Sequence, residues 1–67
     1  MTDAEVIAYQ CGARFAREAQ QLIAAGHGKD MPDHPFLTGE ENASLSKLGW
    51  RTWADWFRQG GLAQLSQ

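Results

Sequence analysis

Two stretches of the chain carry apolar residues at helical spacing, and the segment between them does not. At 100° per residue, Ala4, Ile7, Ala8, Cys11, Phe15, Ala19 and Leu22 share one stripe, with Gln10, Arg14, Arg17 and Gln21 opposite. Thr2 and Glu5 have the spacing of a capping box, in which the hydroxyl accepts from one amide and the carboxylate from another. Gly26 suits the position after the last turn, where a positive φ is needed. This pattern predicts a helix over residues 3–25. Ala8, Gly12 and Ala16 add a flank of small residues four apart, over which bulky side chains of another helix can pack closely.

Residues 26–38 read as a loop, because they contain both prolines, Gly26 and Gly28, and several Asp and His. A second capping box, Thr38 with Glu41, opens a second helix over 39–59, ended by Gly60 and Gly61. The remaining residues 60–67 form a short tail. Leu45, Leu48, Gly49, Trp50, Trp53, Trp56 and Phe57 spread over a broad apolar arc, leaving Lys47, Arg51, Asp55 and Arg58 wet. The expected fold is therefore all-α, one domain over 1–67 built as a two-helix hairpin.

Each large aromatic side chain buries about 150–250 Å². The arc of the second helix exceeds what one hairpin seam covers. Two hairpins closing into a four-helix bundle would cover the surplus as a homodimer. A different protein docking on it is the other solution, since Trp and Arg are enriched in binding hot spots. Trp50, Trp53, Trp56 and Phe57 are the expected apolar centre of dimer or partner contact, the alternative being that the three tryptophans are core, which for any single one of them is the stronger expectation. Arg51, Arg58, Glu40, Glu41 and Asp55 are the expected polar rim.

Composition narrows the partner. Six Lys and Arg against eight Asp and Glu give a formal charge of −2, which argues against direct nucleic-acid binding. The loop is also too long for the turn of a helix-turn-helix reader. A basic or apolar surface on a bacterial host protein fits better. Cys11 is the sole cysteine, so the chain has no internal disulfide and suits a reducing compartment. The N-terminal stretch lacks the basic and apolar regions of a signal peptide, and no apolar run is long enough to span a membrane. A cytoplasmic protein is expected.

Candidate chemistry is sparse. His27, Asp30, Asp33 and His34 are potential metal ligands, but their types and spacing match no familiar site, and they read as solvated turn residues. Cys11 sits mid-helix on the apolar stripe with no histidine within a turn, unlike an activated nucleophile. Gly26-His27-Gly28-Lys29 lacks the glycine spacing of a phosphate loop. Glu40 and Glu41 stand at a helix N-terminus, where the macrodipole favours them. No catalytic residue, cofactor or metal is expected.

One resemblance bears on function. His34-Pro35-Phe36, followed about a dozen residues later by Leu48-Gly49-Trp50-Arg51, resembles the ribosome modulation factor family. There a Cys- or Asn-Pro-Tyr turn precedes a helix bearing a Gly-Trp-Arg step. Ala8-Tyr9-Gln10-Cys11-Gly12 is similar to the Gly-Tyr-Gln-Ala-Gly type segment of that family's first helix, so the similarity covers roughly residues 8–54, with a longer connection. It implies a helical hairpin and docking on ribosomal RNA or proteins, with Pro35, Phe36, Gly49, Trp50 and Arg51 as the matching residues. This chain departs from the family in being acidic rather than strongly basic, and in placing His34 before Pro35. The function expected from the residues themselves is a small non-catalytic inhibitor of the kind carried by phages and mobile elements. It would block a host protein such as a transcription regulator. Ribosome association is the alternative that the resemblance implies.

Overall fold

The computed structural model describes every residue except His34. Its helices are α1 (Asp3–Ala24), α2 (Gly39–Leu48) and α3 (Trp50–Leu65), with a 3-10 turn at Gly28–Asp30. There is no strand among the described residues, so the class is all-α. Among the described residues, no helix is long and apolar enough to cross a membrane. Three helices replace the expected two-helix hairpin, and residues 60–67 are largely part of α3 rather than a tail.

The helix starts follow their sequence signals. Thr2 N donates to Glu5 Oε1 at 2.7 Å, and Glu5 N donates to Thr2 Oγ1 at 3.3 Å. The same box recurs at Thr38 and Glu41, at 2.8 and 3.2 Å. α1 closes with Gly26 at φ 81°. Gly26 N donates to Ile23 O and His27 N to Leu22 O, which satisfies two of the carbonyls a helix end leaves open.

The expected helix 39–59 is interrupted at Gly49. Its φ of 82° and ψ of 157° lie in a region essentially restricted to glycine. Gly49 N donates to Leu45 O, closing α2, while Gly49 O accepts from Trp53 N, opening α3. One residue therefore ends one helix and begins the next.

The expected stop at Gly60 and Gly61 is overturned as well. A Cβ on Gly60 would collide with the Tyr9 carbonyl, and one on Gly12 with the Phe57 carbonyl. These two glycines let α1 and α3 touch backbone to backbone, a geometry that brings Cα–H groups onto carbonyl oxygens. Glycine inside a helix costs about 1 kcal/mol relative to alanine. Packing of α3 along α1 outweighs that cost. The small flank Ala8, Gly12 and Ala16 is buried in this contact, as its spacing predicts.

α2 runs against α1, with Glu41 beside Arg14 and Lys47 bordering Thr2 to Ala4. α3 returns in the sense of α1: Gly60 lies on Tyr9, Gly61 near Ala16, and Gln64 Nε2 donates to Gln20 Oε1 at 3.4 Å. The core is Ala8, Cys11 and Trp53, flanked by Leu37, Leu45, Leu48, Trp56 and Phe57. Trp53 Nε1 donates to Ser44 Oγ at 2.9 Å, and Ser44 Oγ donates to the Glu41 carbonyl at 2.7 Å. Every polar atom in that chain thus has a partner, as burial demands.

Candidate functional site

The break at Gly49 sorts the tryptophans into different roles. A helical wheel drawn across residues 39–59 treats Trp50 as continuous with Leu45, but Gly49 resets the helix axis between them. Trp53 is 3% exposed and belongs to the core of the single chain, a correction to its placement at the centre of a contact surface. Trp56 and Phe57 are half-buried against that core. Phe57 stacks on Trp53 with centroids 5.1 Å apart, and meets Phe15 of α1 at 5.7 Å. Trp50 alone is 68% exposed, its ring lying near-parallel to Trp53 at 6.3 Å.

Beside Trp50 lies an apolar groove of about 390 Å³. Phe15 of α1, Pro35 and Leu37 of the loop, and Trp50, Trp53, Ala54 and Phe57 of α3 line it, with Asp33 the one charged lining residue among the described residues. Next to it, across Phe15 and Pro35, Phe36 projects with 85% of its surface exposed. The residue pattern did not single out Phe15 or Leu37 for this surface, and Phe36 entered only through the family resemblance. For Phe36 a signal was present: it is a large apolar residue between a proline and a capping box, where no helix stripe can absorb it.

The polar rim is only partly as expected. Arg51, Asp55, Arg58 and Glu40 are exposed. Glu41 is not on the rim; it is 8% exposed and structural. Arg14, placed on the wet side by the wheel, reaches it: Arg14 Nη2 donates to Glu41 Oε1 at 3.1 Å and to the Phe36 carbonyl at 3.2 Å. Burial pushes the Glu41 carboxyl up. The Thr38 amide, the Cys11 thiol, the Arg14 guanidinium and the Thr38 hydroxyl together outweigh it, leaving Glu41 below the usual carboxylate range. This cluster fastens the loop that carries Phe36 to both α1 and α2.

A second concavity of about 530 Å³ runs between α1 and α2, lined by Ile7, Gln10, Arg14, Arg17, Glu40 and Glu41 among others. Cys11 borders it, but burial, followed by the neighbouring Glu41, raises its thiol to about 12. It therefore keeps its proton at neutral pH and lacks the thiolate a nucleophile needs. Among the described residues, no three His, Cys, Asp or Glu side chains are grouped to hold a metal ion. His27 Nδ1 lies 3.4 Å from Asp30 Oδ2 on the open surface, Asp33 lines the aromatic groove, and His34 is outside the described residues.

Compared with protein-family models, with curated proteins and with solved structures, the chain matches none.

Proposed function

We propose that the chain is a small non-catalytic regulator that acts by protein–protein contact through its aromatic face. The observation that carries this reading is the pairing of an apolar groove with two uncovered aromatic rings, Trp50 and Phe36, at its border. Monomeric proteins seldom leave contiguous apolar surface of this kind open unless something binds there. Trp50 sits on the rigid start of α3, backed by Trp53, so little side-chain freedom is lost when a partner covers it. An inhibitor of a bacterial host protein, such as a transcription regulator, fits this size and charge. Affinity capture from bacterial lysate tests it. The wild-type chain recovers a stoichiometric protein, and Trp50→Ala loses it while retaining the helical circular-dichroism spectrum. Recovery of no stoichiometric protein overturns the reading.

A second reading, ribosome association, is favoured by one observation. Pro35 and Trp50, two of the residues matching the ribosome modulation factor pattern, line the same groove although distant in sequence. Sucrose-gradient sedimentation of stationary-phase extract tests it: co-migration with ribosomal particles supports the reading, and its absence ends it.

A further inference from the structure

The groove beside Trp50 has walls of two kinds. Phe15 of α1 and Trp50 and Phe57 of α3 stand on helices, whose backbones are held by their own hydrogen bonds. Pro35 and Leu37 stand on the segment between the 3-10 turn and α2, which has no such ladder. Pro35 has no amide hydrogen to donate. Phe36 does not anchor the segment by packing, because its ring projects into solvent. Leu37 is half-buried at the edge of the core. Among the described residues of the stretch 32–37, the one hydrogen bond to a helix is from Arg14 Nη2 to the Phe36 carbonyl, at 3.2 Å.

We propose that Arg14 is the positioning residue of the groove: by holding the Phe36 carbonyl it fixes Pro35 and Leu37, on either side, as a preformed wall. Arg14 stands behind Phe15 and Pro35, outside the groove, so it acts through that carbonyl and touches no occupant. Its own place is set by α2. Glu41 Oε1 accepts from Arg14 Nη2 at 3.1 Å and from the Thr38 amide at 2.8 Å, so the carboxylate that caps α2 also aims the guanidinium. The two hydrogens of Nη2 match its two oxygen acceptors.

Stability alone is a poor account of this arrangement. Arg14 Nε is buried without a hydrogen bond, and drawing a paired cation out of water contributes little net stability. What the arrangement secures is the position of one carbonyl. A wall fixed in advance removes the need to order that segment when a partner binds.

The inference deepens the proposed function, and its consequence for capture rests on the aromatic face being the working surface. Limited chymotrypsin digestion of the folded chain tests the positioning without any partner. Cleavage after Phe36 requires the segment to leave the body, and its rate reports the population of that opened form. Cleavage after Trp53, buried in α3, requires the helix to unfold. Arg14→Met raises cleavage after Phe36 at least about tenfold more than cleavage after Trp53, the low end of what a hydrogen bond from a charged donor contributes. Arg17→Met removes an exposed cation from the same helix and changes neither rate. An equal rise at both sites, no rise at either, or the same selective rise in Arg17→Met overturns the inference. If Arg14→Met loses helical content, Arg14→Lys carries the test, since it keeps a cation beside Glu41 on a shorter stem without the planar fork. A rise confined to Phe36 supports the inference there as well, and its absence overturns it. Where a target is captured through Trp50, Arg14→Met weakens that capture, and undiminished capture overturns the role of the wall. A selective rise with no target captured ends the regulatory reading alone. Trp50-dependent capture without a selective rise ends this inference alone.

Discussion

Arg14 joins three pieces of the molecule through one guanidinium: the Phe36 carbonyl of the loop, Glu41 at the start of α2, and the Cys11 sulfur 3.9 Å away on its own helix. Its Nε is buried without a hydrogen bond, with Glu18 Oε1 3.9 Å away. The wheel placed Arg14 opposite the apolar stripe because a wheel records where Cβ starts, and a long side chain travels beyond that. Glu41 carries the pH consequence. Its folded-state carboxyl lies below its ordinary value of 4.5, so its contribution is complete above that pH and disappears as pH falls through the lowered value. Urea midpoints are expected to hold steady near neutrality and to drop on acidification. Glu41→Gln should cost about 1 kcal/mol at pH 7 and flatten that acid slope. An unchanged slope in Glu41→Gln would assign the acid sensitivity elsewhere, with Glu5 and its Thr2 cap as the next group.

At the scale of elements, two adjacent glycines behave as opposites. A Cβ on Gly60 meets backbone, which cannot give way, and Gly60→Ala should destabilise by about 2 kcal/mol despite alanine's better helix propensity. A Cβ on Gly61 meets Gly12 O at 3.6 Å and Ala16 Cβ at 4.0 Å, ordinary packing distances. Gly61→Ala should therefore stabilise by about 0.5–1 kcal/mol, since helix propensity then decides. Chemical denaturation of the two variants reads the sign directly; the same sign for both would mean that the α1–α3 contact is looser than described. Helix starts were legible because a capping box is a local event within four residues. The stops at Gly49 and Gly60 were not. A glycine in isolation signals a stop equally well whether it turns the chain or admits a neighbouring backbone, and only the partner helix distinguishes the two.

At the scale of the whole molecule, the buried apolar set among the described residues is three alanines, Cys11 and Trp53. One indole supplies most of that volume, so Trp53→Ala should cost about 3–5 kcal/mol. Trp50→Ala loses only an exposed stacking partner, and about 1 kcal/mol. Thermal melts of the two variants test the division of labour, and comparable losses would contradict it. Helical content and an aromatic surplus were legible in the sequence. Which aromatic is surplus was not, because that depends on the turn at Gly49, which sends Trp53 inward and leaves Trp50 out. The molecule is also long for its size, 36 Å by 22 Å by 17 Å. Its radius of gyration is 12.1 Å, against about 11 Å for a compact chain of this length.

The Gly12–Phe57 and Gly60–Tyr9 contacts join α1 to α3. Before α3 is made, α1 and α2 have the Arg14–Glu41 bond available but lack Trp53 and the helix that covers Gly12. The core is therefore completed only after α3 is made, through contacts between distant parts of the sequence that form slowly compared with local ones. Until then Ala8, Gly12 and Ala16 present a bare helical groove to whatever else is nearby. The close backbone contact that sharpens the folded state thus also orders its assembly, because the core closes on α1 only once α3 is in place.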